Sequence, residues 1–577
     1  MTASEIRSRI LSAVSANGGH LAPSLGTVEL SMALCEVFDP SSDRIVWDVG
    51  HQAYAWKILT GRDARFSTLR KFGGISGFPN PLESPCDAAI AGHAGVALSV
   101  AEGYAAARDI KGTSENVVAV VGDSALANGT SFEALNNCTS ATAKVILVLN
   151  DNGMSISKPT GSFSRFLGRL ISGVRYNRAK AAAEKAGHAL GLTFLRSLYH
   201  SFESRVKSLF LASRFFEQFG LRYIGPVDGH DVDALKAAFT VAKEDKRSVI
   251  VHVVTKKGKG YAPAEEDPTA WHGVGPFDIA SGAAAKSSAR SWSRVFGDAL
   301  LELAAKDSRV VAITAGMAEG TGLSRFARDF KERFFDVGIA EGHMVSFAAG
   351  LASAGMRPVV AVYSTFLQRA VDQVMHDVCI AGLPVVFCVD RAGAVGEDGV
   401  THQGLYDIAM LRAIPNLTIC QPVSGEDFVR LLEEALSHNG PVVIRYPRGA
   451  APERAEEAPA PSDGQCGLSI WALGDCVAKA NAVAAHFGAE VVPVRYIKPF
   501  DSARLAALRA KGVKIATIEN GSLAGGFGEA IGADFRFGWP DEFIPHGSLG
   551  ELERRYGLDA PSIVAALESC GFAKRKE

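Results

Sequence analysis

Two acid and amide clusters stand at the ends of apolar runs. Gly122-Asp123-Ser124 follows Val117–Val121, and Asn150-Asp151-Asn152 follows Val145–Leu149. Such short, β-branched runs read as buried strands, so both clusters fall at strand C-terminal ends, where open α/β sheets bind ligands. Twenty-eight residues separate Asp123 from Asn152, enough for a helix and a returning strand, so the two return to neighbouring strand ends. Asp123, Asn152 and the backbone carbonyl of Met154 offer three oxygens to Mg²⁺, and two diphosphate oxygens and a water complete the octahedron. Alone, a Gly-Asp-Ser turn is more simply a helix cap. The pairing at this spacing is what points to a cation-held diphosphate. Glu341, in Val337-Gly-Ile-Ala-Glu-Gly-His343, lies in a separate, similar segment and suits the other end of a long cofactor.

Four histidines sit beside glycines: Gly19-His20, Gly50-His51, Gly92-His93 and His272-Gly273. A single histidine is more often structural, but four in Gly-flanked loops suit an anionic substrate and proton transfer near neutral pH. Their spacing is not that of zinc ligands. Further on, Tyr363-Ser-Thr-Phe-Leu-Gln-Arg369 follows a strand end, and Phe366 suits stacking on a heteroaromatic ring, with core packing as the plainer alternative. Asp390-Arg391 and Arg445-Tyr-Pro-Arg448 put arginines past two strands, where their forks match phosphate oxygens. A surface ion pair explains either arginine taken singly. Glu397-Asp398-Gly399-Val-Thr401-His402-Gln403 is a dense polar loop with no evident folding purpose, which favours function.

The elements that must position these groups are α/β. Short β-branched runs alternate with Ala-rich helical stretches over most of the 577 residues, a pattern of parallel sheets. Small, polar stretches at 279–291 and 453–464 read as linkers, giving expected domains at 1–278, 292–452 and 465–577. Strands are expected at Val310–Thr314, Pro358–Val362, Pro384–Asp390, Val442–Ile444, Leu468–Leu473, Glu490–Arg495 and Lys514–Glu519, each followed by a helix. Residues 157–190 are basic and read as a solvated helical excursion. A net charge of −2 gives no attraction to nucleic acid or an anionic membrane, and no apolar stretch reaches spanning length. The polar start resembles no signal peptide, and the nine cysteines are scattered without a CxxC pair, so reduced thiols in a cytoplasmic protein are expected.

The chain resembles the 1-deoxy-D-xylulose-5-phosphate synthase family of transketolase-like thiamine diphosphate enzymes over nearly its whole length. The resemblance rests on Gly19-His-Leu-Ala-Pro-Ser-Leu-Gly26, Trp47-Asp-Val-Gly-His-Gln-Ala-Tyr54, Lys57-Ile-Leu-Thr-Gly-Arg62, Gly258-Lys-Gly-Tyr-Ala-Pro-Ala-Glu265, Tyr363–Arg369 and Thr401-His-Gln-Gly404, and is weakest over 157–215. It implies decarboxylative condensation of pyruvate with D-glyceraldehyde 3-phosphate, feeding isoprenoid, thiamine and pyridoxal phosphate synthesis. It also implies a homodimer, a site between the first two domains and a non-catalytic third. Carried over by motif, Asp123, Asn152 and Met154 would hold Mg²⁺ and the diphosphate. His51, Lys256 or Lys257, and the loops Gly92-His93-Ala94-Gly95 and Asp123-Ser124-Ala125 would lie near them. Glu341 would hydrogen-bond the aminopyrimidine ring and Phe366 would stack on it. His20, His51, His272, Asp398 and His402 would handle substrate contacts and protons, and Tyr363, Arg391 and Arg448 the aldehyde's phosphate.

Two departures stand out. The family's Gly-Asp-Gly is Gly122-Asp123-Ser124, where a serine crowds the diphosphate if the position needs positive φ, or else hydrogen-bonds to it. The family's Gly-His-Ser-Ser is Gly92-His93-Ala94-Gly95, two hydroxyls fewer, each worth about 0.5–1.5 kcal/mol. These departures motivate two other readings, a related ketol or acyloin transferase with another acceptor and a non-catalytic cofactor binder. Glu341 speaks against the binder, which has no use for it.

Overall fold

A computed structural model describes residues 1–153, 214–283, 289–455 and 466–574. Met154, the basic 157–190 stretch and most of the weakly matching 157–215 segment lie outside the described residues, as do parts of both expected linkers. The chain forms two compact units, Met1–Ala285 and Lys286–Glu577.

The first unit is built on a five-stranded, all-parallel sheet. Its strands are β1 (Arg44–Trp47), β2 (Val117–Gly122), β3 (Ile146–Asp151), β4 (Arg222–Asp228) and β5 (Val249–Val254), in the order β1-β2-β3-β5-β4. Val117–Val121 and Ile146–Leu149 are buried along their whole length, which is why they are continuously apolar rather than alternating. One sheet face packs Val118, Val120, Ile146, Val148 and Val251 against Leu30 and Leu34 of the helix Val28–Val37 and Leu235 and Phe239 of the helix Val232–Glu244. The helix Ala97–Lys111 packs against β2 and buries Ala97, Leu98, Ala101 and Ala105. Adjacent strands run the same way, so the residues just past β1, β2, β3 and β5 emerge at one edge.

The second unit holds two sheets. The larger is ordered β14-β10-β11-β9-β8-β6-β7 over β6 (Val310–Thr314), β7 (Phe334–Asp336), β8 (Arg357–Tyr363), β9 (Val386–Asp390), β10 (Thr418–Cys420), β11 (Val442–Arg445) and β14 (Tyr496–Lys498). Only β14 is antiparallel, at the edge beside β10. The smaller sheet is parallel, ordered β13-β12-β15-β16 over β12 (Leu468–Leu473), β13 (Glu490–Val494), β15 (Lys514–Ser522) and β16 (Phe535–Trp539). All seven expected strands are present with small shifts at their ends. Among the described residues the expected helix is missing after β11, where the chain runs on towards the expected linker, and after β13, because β13 and β14 are separated by Arg495 alone and the chain steps from one sheet to the other there. One core runs through both sheets, from Ile313, Val360 and Phe387 to Trp471, Val492 and Ile515. Arg445 is buried in it, its guanidinium bonded to Asp407 (2.9 and 3.0 Å), to Asn520 (2.6 Å) and to Gln421.

Candidate functional site

In the first unit, four strand ends converge. β2 and β3 are neighbours with Gly122 opposite Asn150, so Asp123 emerges at the strand end next to the one that leads into Asp151-Asn152. Asp123 opens the short helix Asp123–Leu126 and is buried. Burial, reinforced by the nearby Asp151 charge, pushes its carboxyl up, and Lys257 beyond β5 opposes that shift. Lys257 is itself buried and pushed down. Lys256 is exposed and ion-paired with Glu265, so of the two lysines only Lys257 belongs to the cluster. The rings of His20, His51 and His272 gather next to it, with centroids 5.8, 5.8 and 5.1 Å apart. Burial, then the charges of Lys257, His51 and His20, hold His272 well below the usual range, so it is neutral. Two of the flanking glycines are sterically required. A Cβ on Gly50 (φ +82°) would stand 2.4 Å from Pro79, and one on Gly19 2.7 Å from the Tyr54 hydroxyl.

His93 is half-buried on the Gly92–Gly95 loop, which is anchored by a residue the sequence reading passed over. Asp48, just past β1, accepts the Gly95 amide at 2.8 and 3.0 Å and the Ala97 amide at 3.0 Å. Ser131 Oγ donates to the Gly95 carbonyl at 3.2 Å. Gly95 has φ +82°, and a Cβ there would lie 2.4 Å from Oδ1 of Asn128. Asn128 in turn caps the helix Gly129–Ala141 by accepting the Thr130 amide at 3.0 Å. The absent hydroxyl at 95 thus has a physical reason, since this loop has no room for it.

In the second unit, Glu341 is the first residue of the helix Glu341–Ser353 and is buried. Burial pushes its carboxyl up, against the pull of Arg369, whose Nε lies 3.6 Å from Oε2. Phe366 stacks near Tyr363 (5.9 Å, 23°) and meets His402 edge-on (5.7 Å, 82°), and it is packed partly against the core. The Arg391 guanidinium lies 3.9 Å from the Tyr363 ring centroid. Arg391 has φ +58°, an uncommon conformation for a side chain of that size. Arg391 and Arg448 both act on Tyr363 and on buried Asp390, whose carboxyl burial raises to about 6. Arg448 binds the Val395 carbonyl (3.0 Å) and Glu397 (3.2 Å). Asp398 and His402 share the 397–403 loop, and Thr401 Oγ1 lies 2.9 Å from His402 Nδ1. This loop does have a folding purpose, contrary to expectation. Gln403 is buried, accepts the Val395 amide at 2.7 Å and donates to the Pro545 carbonyl at 3.3 Å.

Residues 1–255 match the family model for 1-deoxy-D-xylulose-5-phosphate synthase, 288–453 the transketolase pyrimidine binding domain and 467–563 the transketolase C-terminal domain. The 1-deoxy-D-xylulose-5-phosphate synthase of Desulforudis audaxviator is 46% identical over 98% of this chain and 94% of its own length. The chain belongs to the 1-deoxy-D-xylulose-5-phosphate synthase family. Synthase 1 of Geobacter metallireducens is 44% identical over 98% of this chain and 95% of its own length. Among solved structures, a transketolase from Campylobacter jejuni is 18% identical, with a TM-score of 0.44 and 98% coverage of both chains. As a member of this family the chain is a transketolase-like transferase that uses thiamine diphosphate and a divalent metal such as Mg²⁺.

The first unit fits that cofactor's charged end. Two neighbouring acids, Asp123 and Asp151, raise one another's need for a cation, and Lys257 supplies positive charge beside them. Ser124 sits in the short helix, outside the positive-φ region, so its side chain adds no backbone strain. Its Oγ is buried and has no partner. A buried hydroxyl left unpaired costs about 1–3 kcal/mol, which an anionic oxygen would relieve.

Proposed function

We propose that this chain condenses pyruvate with D-glyceraldehyde 3-phosphate, releasing CO₂ and forming 1-deoxy-D-xylulose 5-phosphate for isoprenoid, thiamine and pyridoxal phosphate synthesis. The observation that carries this reading is Glu341, a carboxyl buried at the start of a helix and raised by that burial. A protein that merely bound the cofactor would have no need to bury an acid there. In the proposed roles, Asp123, Asn152 and the Met154 carbonyl hold Mg²⁺. Lys257, His51, Ser124, Ala125 and the Gly92–Gly95 loop with His93 and Ala94 receive the diphosphate. When bound, thiamine diphosphate supplies a carbon nucleophile and an electron sink for decarboxylation.

The chain's own groups do the rest. Glu341 would hydrogen-bond the pyrimidine ring nitrogen, and Phe366 would support that ring by stacking. His272 is held well below the usual range by burial, so it stands among the cationic groups as a neutral ring, and its Nδ1 is buried without a partner. With His20, His51, His402 and Asp398 it contacts substrate and moves protons. Tyr363, Arg391 and Arg448 hold the phosphate of the aldehyde, and Arg448 exchanges its contact with Glu397 for a phosphate oxygen. The domains are 1–278, 292–452 and 465–577, joined by linkers at 279–291 and 453–464. The protein works as a cytoplasmic homodimer, as the family resemblance implies. No helix among the described residues is long and apolar enough to cross a membrane.

The test is CO₂ release from pyruvate with thiamine diphosphate and Mg²⁺, with and without D-glyceraldehyde 3-phosphate. Release that depends on the aldehyde and yields a five-carbon phosphorylated ketose supports the reading. Release independent of the aldehyde points to another acceptor, and none at saturating cofactor overturns it.

A further inference from the structure

Behind the turn that carries Asn152, three side chains from three adjacent strands form a buried line. Asp151 ends β3, His252 lies in β5 and Tyr223 in β4, and these strands are neighbours in the sheet. His252 Nε2 stands 3.0 Å from Asp151 Oδ2, and its Nδ1 stands 2.8 Å from the Tyr223 hydroxyl. His252 is 0% exposed and Asp151 1%. The second oxygen of Asp151 accepts the Gly153 amide at 3.0 Å, and its carbonyl accepts the Thr255 amide at 2.9 Å. Gly153 has φ +67°. One carboxylate therefore grips the chain on both sides of Asn152.

The protonation pattern is fixed from the far end. Burial, then the Asp151 charge, raises the Tyr223 phenol above its ordinary range, so it keeps its proton and donates to Nδ1. Nε2 is then the nitrogen that carries hydrogen, aimed at Asp151. The line is closely packed. Phe216 stacks on Tyr223 at 6.0 Å and 8°, and a Cβ on Gly225 would lie 2.6 Å from the His252 carbonyl. Folding alone would be served as well by apolar side chains of similar size here, because buried charged groups are poor sources of stability. Groups that orient a metal ligand are arranged in this manner, as histidine–carboxylate pairs held by a further hydrogen bond.

We propose that Tyr223 and His252 are positioning residues for the divalent metal. Acting through Asp151, they hold the Asp151-Asn152-Gly153 turn in the shape that presents Asn152, and so set metal affinity. The proposal rests on the reading of Asn152 as a metal ligand.

The experiment titrates metal-stripped full-length protein with Mn²⁺ at saturating thiamine diphosphate, reading free Mn²⁺ by electron paramagnetic resonance. It also records the melting temperature of each metal-free variant. Tyr223→Phe removes one oxygen and should weaken Mn²⁺ binding about tenfold, with no more than the few degrees' fall in metal-free melting temperature that an unpaired Nδ1 brings. His252→Leu should weaken it at least as much, whereas His252→Gln, which keeps a donor near the Nε2 position, should restore most of the affinity. Asn152→Ala serves as the reference. If it binds Mn²⁺ less well while Tyr223→Phe and His252→Leu bind like the unaltered protein, the positioning role is overturned and the ligand reading survives. If Asn152→Ala itself binds normally, the ligand reading falls and the proposal with it. A lowered metal-free melting temperature with unchanged Mn²⁺ affinity marks a purely structural line and also overturns the proposal.

Discussion

Restoring the family's serine at position 95 should harm this protein rather than improve it. Gly95 sits at φ +82°, where an L side chain costs about 1–2 kcal/mol. The new Cβ would lie 2.4 Å from Oδ1, 2.6 Å from Cγ and 2.7 Å from Cβ of Asn128, so that side chain must leave. Leaving forfeits its bond to the Thr130 amide, a helix cap worth about 1 kcal/mol. Together Gly95→Ser should cost about 2–3 kcal/mol. For a unit the size of Met1–Ala285, with an unfolding entropy of about 0.6 kcal/mol/K, the melting temperature should fall by roughly 3–5 °C. A displaced loop that loses one hydrogen bond to the diphosphate should weaken cofactor half-saturation by up to about tenfold. Asn128→Gly clears the space at a cost of a few tenths of a kcal/mol, so Gly95→Ser with Asn128→Gly should recover about 1 kcal/mol of the single variant's loss. Thermal melts and thiamine diphosphate titrations of the two single variants and the double variant measure that coupling. A Gly95→Ser protein that melts and binds cofactor like the unaltered chain, or additive effects in the double variant, would refute the reasoning.

Three further outcomes are expected. Glu341→Ala should cut turnover at saturating cofactor at least a hundredfold without lowering the melting temperature, because the group removed is a buried acid; steady-state kinetics within tenfold of normal would contradict its assignment. Glu102, with one carboxyl oxygen buried and unpartnered, is raised to about 7 by burial, against hydrogen bonds from Asn137 and Cys138. The folded state therefore holds its proton more tightly than the unfolded chain, and its contribution, full below pH 4.5, is lost as pH rises through about 7. Glu102→Gln should accordingly raise the melting temperature at pH 8.5 by about 2–5 °C, the value of roughly 2–3 kcal/mol, and leave it unchanged at pH 4.5. The neighbouring Cys138 thiol, pushed up to about 12 by burial, does not titrate in that window. Arg445→Ala strips the partner from buried Asp407 and should destabilise the second unit by about 3–5 kcal/mol in a urea melt, whereas an exposed pair such as Arg454–Glu426 should contribute under 1 kcal/mol.

The central strands β2 and β3 were legible because burial on both faces writes itself as an unbroken apolar run, as in Val117–Val121. Tyr496–Lys498 was not, since a three-residue antiparallel edge strand carries no such run and owes its state to β10. Asp123 and Asn152 could be placed because each lies directly after its strand. Asp48 lies after a strand too, but its role depends on an amide 47 positions away. Gln403 meets partners 141 and 142 positions away, so its folding role left no local trace and the loop read as purely functional. The sign of φ at Ser124 was likewise undecidable from residue type. Met154 and the basic stretch that follows lie outside the described residues.

Shifted acids do not by themselves mark the site in this chain. Asp475 is raised to about 6 and Glu519 to about 7, the same direction as Asp123 and Glu341, yet both lie in the C-terminal segment. What separates the two groups is how the chain answers the buried charge. Asp475 accepts Asn520 Nδ2 at 2.6 Å and Gln421 Nε2 at 3.0 Å, and Glu519 accepts the Phe527 and Gly528 amides at 2.7 and 2.9 Å. Those acids cap a helix and tie two sheets together, and their donors come from the protein itself. Asp123 faces a second acid as well as Lys257 and the Ser124 amide, and Glu341 has its guanidinium at 3.6 Å, beyond hydrogen-bonding reach. An acid buried beside another acid, or short of its cation, is a cost that folding repays less fully, and a ligand can. That criterion supports the proposed roles of Asp123 in the first unit and of Glu341 in the second. The C-terminal sheet serves to hold the 393–404 loop and its histidine in place.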